Sequence, residues 1–353
     1  MLTLDPAHLR DASQRIFEAA GAPSEVAAQM AEFLVESNLV GHDSHGVIRI
    51  PAYLQAISDG LIVPDARPEV TEETATSALV DGKDGFGHIA AAFATDIAAR
   101  KARESKVAVV SVVRCNHIGR LGEWASRAAR QGVVAIVTVG GGGGPGIAAP
   151  YGGTARALGT NPISVGMPAG EGEELLVDFA TTAMAEGKVQ VARAKGASLP
   201  PGVLLDREGH PSTNPEDLYS GGMLLPFGGH KGYGLALVVE LLGAALTPGQ
   251  RHNRGARSGG AVIIAVDAAA FRPLAEFEAA AMEALGRVKA IPPAPGFAEV
   301  LVPGEPERRT RAERLRTGIP LPEVTWHEIV DAARGLGVEV QRDHFDEPPV
   351  GKL

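Results

Sequence analysis

A single cysteine, Cys115, stands in 353 residues, so no disulfide can form within the chain and a reducing, cytoplasmic setting is expected. Basic charge is scarce as well. Against 42 Asp and Glu there are 33 Lys and Arg, giving a net charge of −9 and a pI near 5.6. Without a basic stripe to neutralise phosphates, nucleic acid is excluded as a partner. The Arg-rich stretch from Arg308-Arg309 to Arg316 has acids interleaved and reads as a solvated helix face. No apolar run suits a bilayer: the longest candidate helix, Tyr233 to Leu246, contains Glu240 and falls short of the roughly 20 residues needed. The opening residues Met1 to His8 carry no basic region or apolar stretch, so neither a signal peptide nor membrane association is expected.

What is present is an ordinary globular composition, 45% apolar and 21% charged, with length enough for two or three packed units. The 44 glycines and 25 prolines call for many turns and close backbone approaches. Two helices are predicted between Asp5 and about Leu39, and a third from Val47 to Ser58, stopped at Asp59-Gly60. From about Thr71 the rhythm changes. Strands are predicted at 78–82, 107–113, 133–139, 162–167, 175–179 and 262–266, with helices over 89–104, 121–131 and from Gly232 onward. That alternation indicates an α/β architecture. A Pro/Gly-rich loop is expected over 199–222, an extended stretch over 292–303, a last helix at 325–335, and poor order at the end.

The chemistry-bearing motif is Gly41-His42-Asp43-Ser44-His45-Gly46-Val47-Ile48-Arg49. A His moves protons near neutral pH, and an Arg four residues on can grip a carboxylate with two parallel hydrogen bonds. If Val47 onward is helical, His45 and Arg49 share a face one turn apart. The plain alternative is a polar loop in which Asp43 or Ser44 caps a helix. The run Gly141-Gly142-Gly143-Gly144-Pro145-Gly146 formally matches G-x-G-x-x-G. Pro145 and Pro150 leave no helix to open there, and no suitably spaced acid follows, so a Rossmann fingerprint is rejected. The missing G-K-[ST] rules out a P-loop. Gly228-Gly229-His230-Lys231-Gly232 before an apolar helix fits a phosphate site at a helix N-terminus, or equally a tight loop entering a buried helix. No metal site is expected: His42 and His45 lack a third ligand at a usual spacing. Cys115 reads as a small buried hydrophobe.

Read as an ordered set, several segments resemble the malate/L-lactate dehydrogenase type 2 family of NAD(P)-dependent oxidoreductases. They are Asp43-Ser44-His45-Gly46 with Arg49 and Tyr53, Asn116-His117-Ile118-Gly119, Ala149-Pro150-Tyr151-Gly152-Gly153 and Gly159-Thr160-Asn161-Pro162. Asp178-Phe179-Ala180-Thr181-Thr182, Leu225 to Gly232, and Val302-Pro303-Gly304-Glu305 complete it. The resemblance implies a fold that is not Rossmann. Residues 1–70 with 305–353 would form a helical domain, and 71–304 a mixed-sheet α/β domain binding cofactor and substrate. It also implies a homodimer.

The implied reaction moves hydride between nicotinamide C4 and C2 of a small 2-hydroxy or 2-oxo acid. Arg49 would bind the substrate carboxylate, with Ser44, Tyr53, Gly141, Thr160 and Asn161 around it. His45 is preferred as proton carrier, His117 second, and Asp178 resembles the acid that partners this His in imine-reducing relatives. Cofactor contacts are expected from Thr160, Asn161, Pro162, Asp178, Phe179, Ala180, Thr181, His230, Lys231, Gly232, Pro303, Gly304, Glu305 and Arg308. NAD and NADP both remain open. Glycines after Val139 replace the Asn or Ser usual in relatives and widen the pocket, which keeps a cyclic imine 2-carboxylate reductase as the alternative. A non-catalytic relative would have lost His45, Arg49, His117, Asp178 and Lys231, which are all present.

Overall fold

The computed structural model describes residues 1–141, 144–170, 172–247 and 260–340. Gly142 and Gly143 of the glycine run, and the chain end expected to be poorly ordered, lie outside the described residues. In chain order the helices are α1 (Pro6–Ala19), α2 (Ser24–Leu39), α3 (Ile50–Ser58), α4 (Gly87–Ser105), α5 (Leu121–Ala129), α6 (Glu186–Ala194), α7 (Pro215–Tyr219), α8 (His230–Leu241), α9 (Leu274–Lys289), α10 (Glu305–Thr317) and α11 (Glu323–Gly335). The strands are β1 (Leu2–Leu4), β2 (Glu69–Glu73), β3 (Ser77–Asp81), β4 (Val107–Val113), β5 (Val133–Gly140), β6 (Ile163–Gly170), β7 (Glu173–Phe179), β8 (Leu204–Leu205), β9 (Pro211–Ser212), β10 (Met223–Leu224), β11 (Gly260–Asp267) and β12 (Ile319–Leu321).

The centre is a seven-stranded mixed sheet in the order β2-β3-β4-β11-β5-β6-β7, with β3 and β4 parallel and the other neighbours antiparallel. Its β-branched strands pair in dense register: Ile263 lies opposite Val110 on one side and Val137 on the other, all three buried. Burial on both faces explains why these strands read as continuous apolar runs. The alanine-rich α4 and the short α5 pack on the sheet, and Trp124 of α5 is fully buried with Nε1 donating to Ile118 O at 2.9 Å. Gly166 of β6 permits this approach, since a Cβ there would lie 2.2 Å from Ala125 O.

The N-terminal elements meet the last described elements. β1 pairs with β12, α10 packs on α2, and α11 on α3. At α1, Asp5 accepts from Ala7 N (2.8 Å) and His8 N (2.9 Å) while Pro6 fills the first helical position, a strong start signal. The core of these helices runs without a break into the sheet.

Four sequence expectations change. The helix expected from Val47 begins only at Ile50. The 199–222 loop carries a small sheet, β10-β8-β9, and the short helix α7. The helix expected to run to Leu246 ends at Leu241 and continues as a π-turn over Leu242–Leu246. That turn lies directly on backbone: a Cβ on Gly243 would sit 2.2 Å from Gly140 O, and one on Gly141 2.7 Å from Ala244 N. Finally, β2, α6 and α9 were not anticipated.

Candidate active site

The motif at residues 43–49 forms two 3-10 turns, Asp43–His45 and Val47–Arg49, broken at Gly46, where ψ is −152°. Asn38 of α2 causes the break. Its Oδ1 accepts from Val47 N (2.9 Å), its Nδ2 donates to Asp43 Oδ1 (2.7 Å), and a Cβ on Gly46 would lie 2.1 Å from Oδ1. Arg314 of α10 holds Asp43 in a fork, Nη1 to Oδ1 at 2.6 Å and Nη2 to Oδ2 at 3.1 Å. Asp43 and Gly46 therefore fix the turn that presents Ser44, His45 and Arg49. Ser44 Oγ lies 3.0 Å from His45 Nδ1, and Arg49 Nε donates to Ser44 O at 2.6 Å. Among the described residues no carboxylate pairs with the Arg49 guanidinium. Helix α6 closes the other side, where a Cβ on Gly187 would come within 2.7 Å of Ser44 Cβ.

Facing this turn is the loop after β4. Asn116 shapes it by donating to Leu61 O, Asp84 O and Gly85 O, each at 3.0 Å. His117 then stacks on His45, ring centroids 5.6 Å apart and planes 20° from parallel, and Tyr53 Oη meets His117 Nδ1 at 2.7 Å. A third imidazole, His88, is buried behind them, 6.1 Å from His117 and stacked on Phe33. Desolvation dominates their titration. It pushes His45 down to about 4, helped by the Arg49 charge; His88 falls to about 3 and His117 well below its usual value. The Tyr53 phenol is raised. His117 nonetheless remains exposed to solvent on one side. Cys115, buried and raised to about 12, is no nucleophile at neutral pH.

Beyond this pair, Asp178 at the end of β7 accepts from Gly122 N at 2.7 Å, and burial raises its carboxyl against the pull of Arg120. The hydrogen bond recorded for His45 is to Ser44, not Asp178. The segments 160–162, 179–182 and 226–232 adjoin: Thr181 Oγ1 donates to Thr160 O and Asn161 O (3.0 Å each), Phe227 N donates to Thr181 O (3.0 Å), and Phe179 packs edge-on to Phe227. Pro162 leads from them into β6, and Ala180 sits half-buried between them. Asn161 directs its amide to Ala236 O and Glu240, anchoring α8, and Gly141 is buried with its N–H on that same Glu240. At the N-terminus of α8, Gly228 and Gly229 take positive φ, Gly232 is buried, and His230 and Lys231 are exposed, which fits a phosphate. Pro303 O accepts from Leu176 N of β7 (3.3 Å), and Gly304 has φ 91°. The side chains of Glu305 and Arg308 are engaged internally, with Lys289 (2.6 Å) and with Glu174 O (2.9 Å).

The model of one protein family, described as malate/L-lactate dehydrogenase, matches residues 4–330. The chain belongs to that family. It is 37% identical over 333 residues to hydroxycarboxylate dehydrogenase B of Escherichia coli strain K12, covering 92% of each chain. With a Pseudomonas syringae Δ1-pyrroline-2-carboxylate/Δ1-piperideine-2-carboxylate reductase it shares 38% identity over 247 residues, 70% of this chain and 71% of the relative. Among solved structures, sulfolactate dehydrogenase from Methanocaldococcus jannaschii superposes with a TM-score of 0.87 at 31% identity, covering 96% and 98% of the two chains.

Membership makes the chain an oxidoreductase of the 2-hydroxyacid dehydrogenase or reductase type, a reaction class that implies a nicotinamide cofactor. Among the described residues no helix is long and apolar enough to cross a membrane. Two features near the site escaped the sequence reading. Gly187 lies in the unanticipated α6. Arg120 is an arginine beside a histidine motif whose burial no linear pattern announces.

Proposed function

We propose that the protein transfers hydride between C4 of NAD or NADP and C2 of a small 2-hydroxy or 2-oxo carboxylic acid. The observation that carries the proposal is Arg49, without an acid partner among the described residues, on the same turn as a His45 ring stacked against His117. Bound nicotinamide supplies or accepts the hydride; the remaining work falls to side chains. The two Nη groups of Arg49 bind the carboxylate, with Ser44 and Tyr53 beside them and the 160–161 turn near the ring. Ser44 Oγ fixes the Nδ1 side of His45, so Nε2 exchanges the proton at the C2 oxygen. Tyr53 fixes Nδ1 of His117 in the same way, which turns the Nε2 of His117 toward that oxygen as a second hydrogen-bond partner. Both rings are neutral at pH 7, so the free enzyme is poised to take a proton from an alcohol.

Cofactor phosphate is assigned to Lys231, His230 and the N-terminus of α8, and the adenosine half to Pro303-Gly304-Glu305 with Arg308. A helical unit from residues 1–70 and 305–353, an α/β unit from 71–304, dimerisation and a cytoplasmic site complete the proposal. A second reading, reduction of a cyclic imine 2-carboxylate, is favoured by the reductase relative. The test is an absorbance assay with NADH and NADPH over a panel of 2-oxo acids and cyclic imines. Turnover of an open-chain oxo acid is expected. Turnover of imines alone would move the assignment to the second reading, and none with either class would sink both.

A further inference from the structure

Glu240 is a half-buried carboxylate in the last turn of α8, just before the π-turn. Its Oε2 accepts from Gly141 N at 3.1 Å and from Asn161 Nδ2 at 3.0 Å. Both donors are uncharged, and among the described residues no Lys, Arg or His pairs with it. A carboxylate drawn into a fold is ordinarily matched by a cation. The two segments it ties are those placed around the reacting ring: the end of β5 and the 160–161 turn. Their position is fixed. Asn161 is 3% exposed, in the left-handed region at φ 39°, and its amide also donates to Ala236 O at 2.9 Å. A Cβ on Gly140 would lie 2.5 Å from Val239 O and 3.0 Å from Glu240 Cα, so α8 crosses β5 in backbone contact. Holding two N–H groups needs an acceptor, which a neutral amide oxygen supplies as well. The negative charge is surplus to the tether.

We propose that the Glu240 carboxylate sets the redox preference of the bound cofactor, favouring the oxidised, cationic nicotinamide over the reduced, neutral one. The inference rests on the hydride-transfer reading and deepens it. A nicotinamide ring carries one positive charge when oxidised and none when reduced. A fixed negative charge beside it therefore acts on one redox state alone, and protein charges near a cofactor ring are a general means of tuning it. Glu240 exchanges no proton in this role. Its charge acts through space, across the Gly141 and Asn161 groups that it holds.

The experiment titrates NADH into wild type and Glu240→Gln by fluorescence, with NAD and ADP-ribose measured by competition. NADPH, NADP and 2′-phospho-ADP-ribose are the probes if the protein takes the phosphorylated cofactor. Gln keeps an oxygen acceptor for both N–H groups and removes the charge. The expected result is a Kd for the oxidised cofactor at least fivefold higher, with the reduced cofactor and ADP-ribose within twofold of wild type. The proposal is overturned if Glu240→Gln keeps wild-type Tm and leaves the ratio of oxidised to reduced Kd within twofold. Should the variant fail to fold, wild type alone decides: an oxidised cofactor that binds no tighter than its ADP-ribose fragment gains nothing from the carboxylate, which overturns the proposal. If neither NADH nor NADPH binds wild type, the proposal and the hydride-transfer reading fall together. A shifted ratio without turnover of any 2-oxo acid or cyclic imine supports the role of Glu240 and contradicts only the substrate assignment.

Discussion

Arg49 differs from Arg120, Arg308 and Arg314, each of which has an acid in the protein, at Glu123, Glu173 and Asp43. A charge-assisted hydrogen bond to a substrate carboxylate contributes about 1.5–3 kcal/mol, so Arg49→Gln is expected to raise KM roughly 10- to 100-fold. Circular dichroism and Tm should stay near wild type, since among the described residues the side-chain bond Arg49 gives the fold is the one to Ser44 O. An unchanged KM would remove Arg49 from the carboxylate site. For proton transfer, His45→Asn is expected to lower kcat roughly 100- to 10,000-fold with NADH binding intact. Near-full activity in that variant would pass the role to His117. The sequence motifs single out Ser44, His45, Arg49 and His117 as candidates, and the structure brings these four together. It was not legible whether a motif residue faces the cleft or the scaffold: Asp43 and Asn116 look functional in sequence, yet their polar atoms are taken up by Arg314 and by backbone carbonyls.

At the scale of elements, two glycines decide the geometry. Gly46 has an ordinary φ near −87°, so Gly46→Ala strains nothing locally; its methyl group meets Asn38 instead. The expected result is a fall in Tm with lost activity, because Asn38 must move and release both Val47 N and Asp43. Gly119 combines φ +72° with a Cβ position 2.3 Å from His88 Nε2. Gly119→Ala should therefore be the more destabilising of the two, as read by thermal melting; the reverse order would contradict this account of the loop. The buried strands β4, β5 and β11 were readable because their β-branched runs suit a sheet covered on both faces. Helix α9 was missed although Pro273 precedes a run of helix formers from Leu274 to Lys289. It buries none of its residues, so no interior stripe marked it. The break at Gly46 was invisible because its cause, Asn38, lies on another helix.

Across the whole molecule, His45 and His88 are held neutral in the fold by burial, with values below those of an unfolded chain. Below pH 6.5 the unfolded state takes up protons that the native state refuses, so stability is full above that pH and declines as pH falls toward about 4. Melting temperatures between pH 7 and 4 should show this decline, and His88→Phe should flatten it; a pH-independent Tm would contradict the burial of these rings. The α/β class and the family were accessible from ordered motifs spread along the chain. The meeting of α10 with α2, which delivers Arg314 to Asp43, depends on contacts 271 residues apart and left no local trace.

The central claim is direct hydride transfer at the site formed by His45, His117 and Arg49, and isotope transfer tests it most directly. NADH or NADPH deuterated at C4 would be incubated with the 2-oxo acid that the panel identifies, and the product examined by mass spectrometry and NMR. The account predicts one deuterium at C2 of the 2-hydroxy acid, with transfer slowed strongly in His45→Asn and Arg49→Gln. Product without label at C2, or label transfer unaffected by both substitutions, would contradict it.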